Sequence, residues 1–188
     1  WINALPLFHV GGVGISARSF LSGAEEVLLQ DKWDPELFCA AATQHHATLS
    51  ALTPTQLYDV INKKIEPPKS FRAVIIGGGA LSSSLYKYAR ELGWPLLPSY
   101  GMTECGSQVA TARLDSLFEN ASPLLQRLSH VEVTMNSAGC LCIRSPSLFT
   151  MAAVIEKGKE PILLERSPDK PFQTDDRGEI WGDHLFIL

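Results

Sequence analysis

The sequence predicts an α/β fold: a mostly parallel sheet flanked by helices, followed by a small antiparallel, barrel-like β subdomain. Three observations carry this reading. Apolar strand-like runs alternate with helix-like segments through about residue 112, the pattern of a parallel sheet covered by helices. Two of those helices open on the same device, a capping side chain followed by proline. Beyond residue 112 the pattern changes to alternating runs broken by turn-forming residues, the mark of antiparallel hairpins.

Taken in order, residues 26–30 read as a strand. Asp34-Pro35 then opens a helix reaching about His45, with Asp at the N-cap and Pro at the first helical position. Residues 48–52 are a second apolar strand, and Thr53-Pro54 starts a helix reaching about Lys64. Two prolines make residues 65–70 a loop, and residues 71–76 a third strand. Residues 82–92 read as a helix closed by Gly93. Leu96-Leu97, within the short apolar run 94–98, is the fourth strand. Farther on, runs 131–135 and 140–144 flank a turn at 136–139. Runs 179–181 and 184–188 flank Gly182-Asp183. The division expected is an α/β subdomain over 1–112 and a small β subdomain over 113–188. No internal repeat or low-complexity segment interrupts it.

With 188 residues and 45% apolar side chains, the chain can bury a substantial core. Net charge is −4 without a Lys/Arg cluster, which argues against nucleic-acid binding through a basic patch. No apolar run approaches membrane-span length. Trp1-Ile2-Asn3-Ala4 has neither a basic start nor an initial Met, so no signal peptide is read and the chain looks excised from something longer. Cys39, Cys105, Cys140 and Cys142 form no C-x-x-C pair, and read as reduced, partly buried thiols in a cytoplasmic setting. Asn120-Ala121-Ser122 matches a glycosylation sequon, but nothing else points to secretion.

The chemistry concentrates in Ser99-Tyr100-Gly101-Met102-Thr103-Glu104. Gly101 permits close approach of a ligand to the backbone. Thr103 offers a hydroxyl and Glu104 a carboxylate at a strand end, where open α/β sheets bind ligands. That pair suits a phosphate with its Mg²⁺. Upstream, Gly77-Gly78-Gly79-Ala80 follows a buried strand. It is neither a dinucleotide fingerprint nor a Walker loop, and alone it reads equally as a tight strand-to-helix turn. His9, in Leu5-Pro6-Leu7-Phe8-His9-Val10-Gly11-Gly12, would alone be a satisfied core histidine. Arg18 lies in the apolar run 13–21. There a buried anion is its natural partner, since a guanidinium fork matches a carboxylate.

This ordered trio of motifs resembles the adenylate-forming superfamily of acyl-CoA synthetases, luciferases and adenylation domains, over essentially the whole chain. Within it, the resemblance is greatest to the o-succinylbenzoate–CoA ligase family of menaquinone biosynthesis. The resemblance implies ATP, Mg²⁺ and CoA as reactants and cofactors, and o-succinylbenzoate as the carboxylate partner; an oligomer is compatible with it. It implies nucleotide binding by Gly78, Gly79, Ala80, Ser99, Tyr100, Gly101, Met102, Thr103 and Asp176. His9, Thr103 and Glu104 take the catalytic places, with Glu104 on Mg²⁺. His9, Arg18, Gly77 and Ser107 line the acyl pocket. Two positions depart from the family pattern: Asp175 stands where Gly is usual, and Cys140 where Glu is usual. The family's phosphate loop and C-terminal domain are expected outside this chain, which alone is expected to be inactive. Three alternatives stay open: another acyl- or aryl-CoA ligase, a nucleotide-binding module without catalysis, and a ligand-free scaffold. A buried Arg18 distinguishes the first, because a fatty-acid tunnel has no use for a cation.

Overall fold

The computed structural model describes residues 1–29, 32–118 and 123–188. The first strands and helices alternate: β1 (Ile2–Asn3), α1 (Val10–Ser22), β2 (Val27–Leu28), α2 (Pro35–Gln44), β3 (Leu49–Leu52), α3 (Pro54–Asn62), β4 (Ala73–Ile76), α4 (Ser83–Glu91) and β5 (Leu96–Met102). All pairings among β1 to β5 are parallel, in the spatial order β2-β1-β3-β4-β5. The chain therefore winds one way from β1 to β2 and the other way from β3 onward. The reversal lies between β1 and β3, and such a switch point leaves a crevice at the strands' carboxyl ends.

The helix starts follow from local chemistry. The Asp34 carboxylate accepts from the backbone N–H of Glu36 and Leu37 at 2.8 and 2.9 Å. Thr53 and Gln56 form a reciprocal capping box at α3. Ser82 caps α4, and Gly93 follows its end at φ 90°. Helices α2, α3 and α4 bury Phe38, Leu57, Val60 and Tyr86 against Ile2, Leu52, Val74, Ile76 and Leu96 of the sheet. Each large apolar side chain so buried contributes about 1.5–3 kcal/mol. Trp94, fully buried in the same cluster, donates its indole N–H to the Ile65 carbonyl at 3.0 Å.

Helix α1 differs. No element is read there from the sequence, and Gly11, Gly12 and Gly14 lower helix propensity. Packing overrides that preference: a Cβ on Gly12 would stand 2.3 Å from the Pro6 carbonyl oxygen. The glycine stretch lets α1 lie directly on the Leu5–Pro6 backbone. Buried Asn3 ties the same region together, donating to the Gly12 carbonyl at 3.0 Å and to Glu26 at 2.9 Å, and accepting from the Leu5 N–H at 3.1 Å.

After β5 the sheet continues antiparallel through β6 (Ser107–Thr111), β7 (Leu125–Arg127), β8 (Glu132–Met135), β9 (Cys140–Arg144), β12 (Phe172–Trp181) and β13 (His184–Ile187), while β10 (Met151–Val154) and β11 (Ile162–Glu165) pair apart from it. The fold class expected from the sequence is the fold observed. Both expected hairpins form, β8–β9 and β12–β13. Three details correct the reading. The fourth strand runs to Met102, so four residues of the key hexapeptide, Ser99 to Met102, are strand rather than loop. Its neighbour β6 is already antiparallel, so parallel pairing ends at β5. The hairpin β10–β11 was not foreseen, and its apolar Met151, Val154, Ile162, Leu163 and Leu164 are exposed. The Asn120-Ala121-Ser122 sequon lies outside the described residues, as does Gln30 at the end of the first expected strand. All four cysteines are free. Among the described residues, no helix is long and apolar enough to cross a membrane.

Candidate functional site

A cavity of about 340 Å³ opens at the carboxyl ends of β1, β3, β4 and β5, where the winding reverses. That volume falls in the usual range for small-ligand pockets. Of the residues singled out from sequence, His9, Arg18, Gly77, Gly78, Ser99, Gly101, Met102, Thr103 and Ser107 line it. Gly79, Ala80, Tyr100, Glu104 and Asp176 do not.

The floor is built by close backbone crossings. A Cβ on Gly77 would come within 2.6 Å of Ser99 Oγ, which donates to the Ile76 carbonyl at 3.1 Å and so binds the end of β4 to β5. Gly101 is required for a reason other than ligand approach. A Cβ there would stand 1.8 Å from the Ser107 carbonyl oxygen, across a register shift between β5 and β6. Opposite it, Ser107 holds φ 98°, a conformation rare for a side-chain-bearing residue. Such strain persists only where the surroundings over-determine it.

One wall is cationic. Half-buried Arg18 projects from α1 towards β6, where its guanidinium donates to Gln108 Oε1 at 2.5 Å. Gln108 Nε2 donates onward to Thr111 Oγ1 at 2.6 Å. A Cβ on Gly14 would meet Arg18 Nη1 at 3.0 Å, so glycine leaves the guanidinium its place. Among the described residues no carboxylate pairs with Arg18. Burial lowers its pKa, yet a guanidinium stays charged at neutral pH. On the opposite side, exposed His9 caps α1 through its backbone and stacks obliquely on Phe8, ring centres 4.7 Å apart.

The residues outside the cavity fall into two groups. Gly79 and Ala80 continue its rim into the exposed turn before α4. Tyr100 and Asp176 meet each other: the phenol donates to Asp176 Oδ2 at 2.8 Å, joining strands β5 and β12. Burial first, and this hydrogen bond second, raise the Tyr100 pKa above its ordinary value. Asp176 sits in a bulge of β12 between Gln173 and Arg177, rather than in a solvated turn. Buried Thr174 shapes that bulge, donating to the Leu141 carbonyl at 3.0 Å and accepting from the Asp176 N–H at 3.1 Å. Asp175 does not adopt positive φ, so the loop does not require a glycine there. Cys140 begins β9, half-buried.

Glu104 lies exposed on the short turn Thr103–Cys105, beside the cavity mouth. Among the described residues no group of three or more potential ligands could hold a metal by itself. One carboxylate with a neighbouring hydroxyl does fit Mg²⁺, which is usually held by one or two carboxylates while phosphates and water complete its shell. Burial, and then the Glu104 charge, push the adjacent Cys105 thiol up to about 11, so it is no nucleophile at neutral pH. Sequence reasoning missed Gln108 and Thr53 as lining residues. Thr53 was legible only as a helix cap, and no local signal marks Gln108.

Comparison with known proteins places the chain in a family. The family model described as "AMP-binding enzyme" matches residues 1–151. The 2-succinylbenzoate–CoA ligase of Escherichia coli strain K12 is 38% identical over 191 residues, covering 100% of this chain and 38% of the relative. Its counterpart in Bacillus licheniformis is 30% identical over 196 residues, covering 100% of this chain and 40% of the relative. Among solved structures, the E. coli MenE protein with a bound m-phenylether-linked analogue of OSB-AMS superposes with TM-score 0.73 at 30% identity, over 100% of this chain and 39% of that one. A Bacillus subtilis o-succinylbenzoate CoA synthetase variant shares the fold with TM-score 0.82 at 24% identity, over 100% of this chain and 40% of that one. The chain thus spans about 40% of the length of these proteins.

Proposed function

We propose, from the premise that the chain belongs to the AMP-binding enzyme family, that it forms the acyl- and nucleotide-binding part of an ATP-dependent o-succinylbenzoate–CoA ligase. The single observation that carries the substrate class is Arg18: a half-buried cation lining the cavity with no carboxylate partner among the described residues. A dicarboxylate can present one carboxylate for activation and leave the other for the guanidinium. A fatty acid has no group to offer it.

The proposed reaction has two halves. A carboxylate oxygen of o-succinylbenzoate attacks the α-phosphorus of ATP, and pyrophosphate leaves. The CoA thiol then attacks the acyl carbon, loses its proton, and AMP departs. The residues act by positioning and by offsetting charge. Thr103 meets the α-phosphate, and His9 stands near the carboxylate being activated. Glu104 holds Mg²⁺, which neutralises phosphate charge when bound. Gly78, Gly79, Ala80 and the segment 99–102 bracket the nucleotide, and Asp176 accepts from its ribose hydroxyls. Gly77 and Ser107 complete the acyl pocket with Arg18.

We read residues 1–112 as carrying the pocket motifs and 113–188 as the part that brings Asp176 to them. Separate apolar clusters support this, one around Phe38 and Trp94, the other around Val131, Ile143 and Leu185, although the second also takes in Cys105 and Val109. Cytoplasm is the compartment the reading implies, in keeping with four free cysteines.

The test is substrate discrimination in the full-length protein. A charge-assisted contact contributes about 1.5–3 kcal/mol, so Arg18→Ala should raise the KM for o-succinylbenzoate roughly 10- to 150-fold. The KM for ATP should hold steady. An analogue with the distal carboxylate replaced by a neutral amide should be a poor substrate for the wild type and no worse than the diacid for the variant. Equal discrimination by both proteins would remove Arg18 as the reader of that charge.

A further inference from the structure

Arg18 is held by a neutral group. Its guanidinium carries five N–H donors and no acceptor. Among the described residues, only the Gln108 side chain accepts from it. Because arginine can only donate, the oxygen of the Gln108 amide must be the end that faces Arg18. The amide nitrogen then turns to Thr111 Oγ1, the contact observed at 2.6 Å. The three side chains form one directed relay, Arg18 to Gln108 to Thr111, in which each orientation settles the next. Gln108 and Thr111 both belong to β6, one and four residues beyond Ser107, whose backbone crosses closely on Gly101. The relay is therefore mounted on a strand whose register is tightly determined.

A glutamate at position 108 would have nearly the same shape and would hold Arg18 more strongly. It would also cancel the charge that the cavity presents. Glutamine holds the fork while leaving its charge and its remaining donors for a ligand. Resting on the dicarboxylate reading above, the geometry points to Gln108 as a positioning residue that sets specificity: it aims Arg18 into the cavity as a free cation for the distal carboxylate of the substrate. Gly14 and Ser107 shape the same seat. A Cβ on Gly14 would be 3.0 Å from Arg18 Nη1 and 3.7 Å from Ser107 Oγ, so a larger residue there would press on the guanidinium and shift it.

The experiment is a calorimetric titration of o-succinylbenzoate, and of its distal monoamide, into full-length wild type, Arg18→Ala, Gln108→Glu and Gln108→Met. Wild type should prefer the diacid roughly 10- to 150-fold. Gln108→Glu should lose that preference almost as fully as Arg18→Ala, with no loss of melting temperature, because the new ion pair is isosteric with the old contact. Gln108→Met keeps the charge but not its aim, and should retain an intermediate preference. A purely structural Gln108 would leave the ratio between the two ligands unmoved in every variant that folds. If Gln108→Glu discriminates like wild type while Arg18→Ala does not, the Gln108 inference is overturned and the substrate reading stands. If wild type itself shows no preference, the substrate reading falls, and this inference falls with it.

Discussion

Two glycines in the cavity floor look alike in sequence and should behave differently when substituted. Gly101→Ala places a Cβ 1.8 Å from the Ser107 carbonyl oxygen, 2.7 Å from its carbonyl carbon and 2.8 Å from Gln108 Cα. All three are backbone atoms of the paired strand, so no rotamer relieves the clash. Strand β6 must retreat by more than an ångström. That breaks the pairing of Gly101 with Gln108 and of Met102 with Ser107. Overpacking typically costs about 1–3 kcal/mol, and each lost ladder bond about 1 kcal/mol more. We expect a loss of about 3–4 kcal/mol, or a fall in Tm of roughly 6–16 °C for a chain of this size. Gly77→Ala also meets a short distance, 2.6 Å, but to the hydroxyl of Ser99, which can rotate away. The cost is the hydrogen bond to the Ile76 carbonyl, about 0.5–1.5 kcal/mol. Reduced freedom of the unfolded chain returns about 0.4–1 kcal/mol, since Gly77 has no positive φ. The net change should stay within about 1 kcal/mol. Urea unfolding of both variants beside the parent decides. Similar losses for the two, or a loss below about 1 kcal/mol for Gly101→Ala, would refute the argument that the identity of the obstructing atom sets the cost.

Two further outcomes follow from the same structure. Thr174→Val removes the hydroxyl that joins the Leu141 carbonyl to the Asp176 N–H; leaving those buried groups unmatched should cost about 1–3 kcal/mol in urea unfolding, and a cost near zero would show that the bulge holds without it. Stability should fall above pH 9, because burial raises the Cys39 thiol from 9.0 to about 12 and the Cys105 thiol to about 11. The unfolded chain then binds fewer protons than the folded one, so each thiol's contribution is complete below pH 9 and is lost as pH rises toward its folded value, at about 1.4 kcal/mol per pH unit. Urea midpoints from pH 8 to 10.5 check this: a Cys39→Ala, Cys105→Ala variant should show a shallower decline, and an unchanged slope would count against it.

Most of the fold was legible because its signals are local. Asp34, Thr53 and Ser82 each satisfy N–H groups within three residues of themselves, so the starts of α2, α3 and α4 can be read one turn at a time. The hairpins β8–β9 and β12–β13 are likewise determined by their own turn residues. Helix α1 was illegible for the opposite reason. Its glycines oppose a helix, and what they gain is contact with the Leu5–Pro6 backbone, which only the folded chain brings near. The hairpin β10–β11 exposes apolar side chains on a two-stranded unit, and so leaves no clean inside-outside alternation to read.

The candidate site divides along the same line. Gly77, Gly78, Ser99, Gly101, Met102 and Thr103 sit at the ends of β4 and β5, strands adjacent in sequence and in space, and each could be found from its own motif. Arg18 could be suspected from its apolar neighbours, but the partner that aims it lies 90 residues away on an antiparallel strand. That strand is positioned by the clash a single glycine avoids at Gly101. A pairing of that span has no period and no spacing in the sequence. It exists because β5 and β6 cross closely at Gly101 in this register. The hexapeptide that first drew attention as a ligand loop therefore has a second task. It shapes the pairing of β6, and with it the direction in which Arg18 points from the cavity wall.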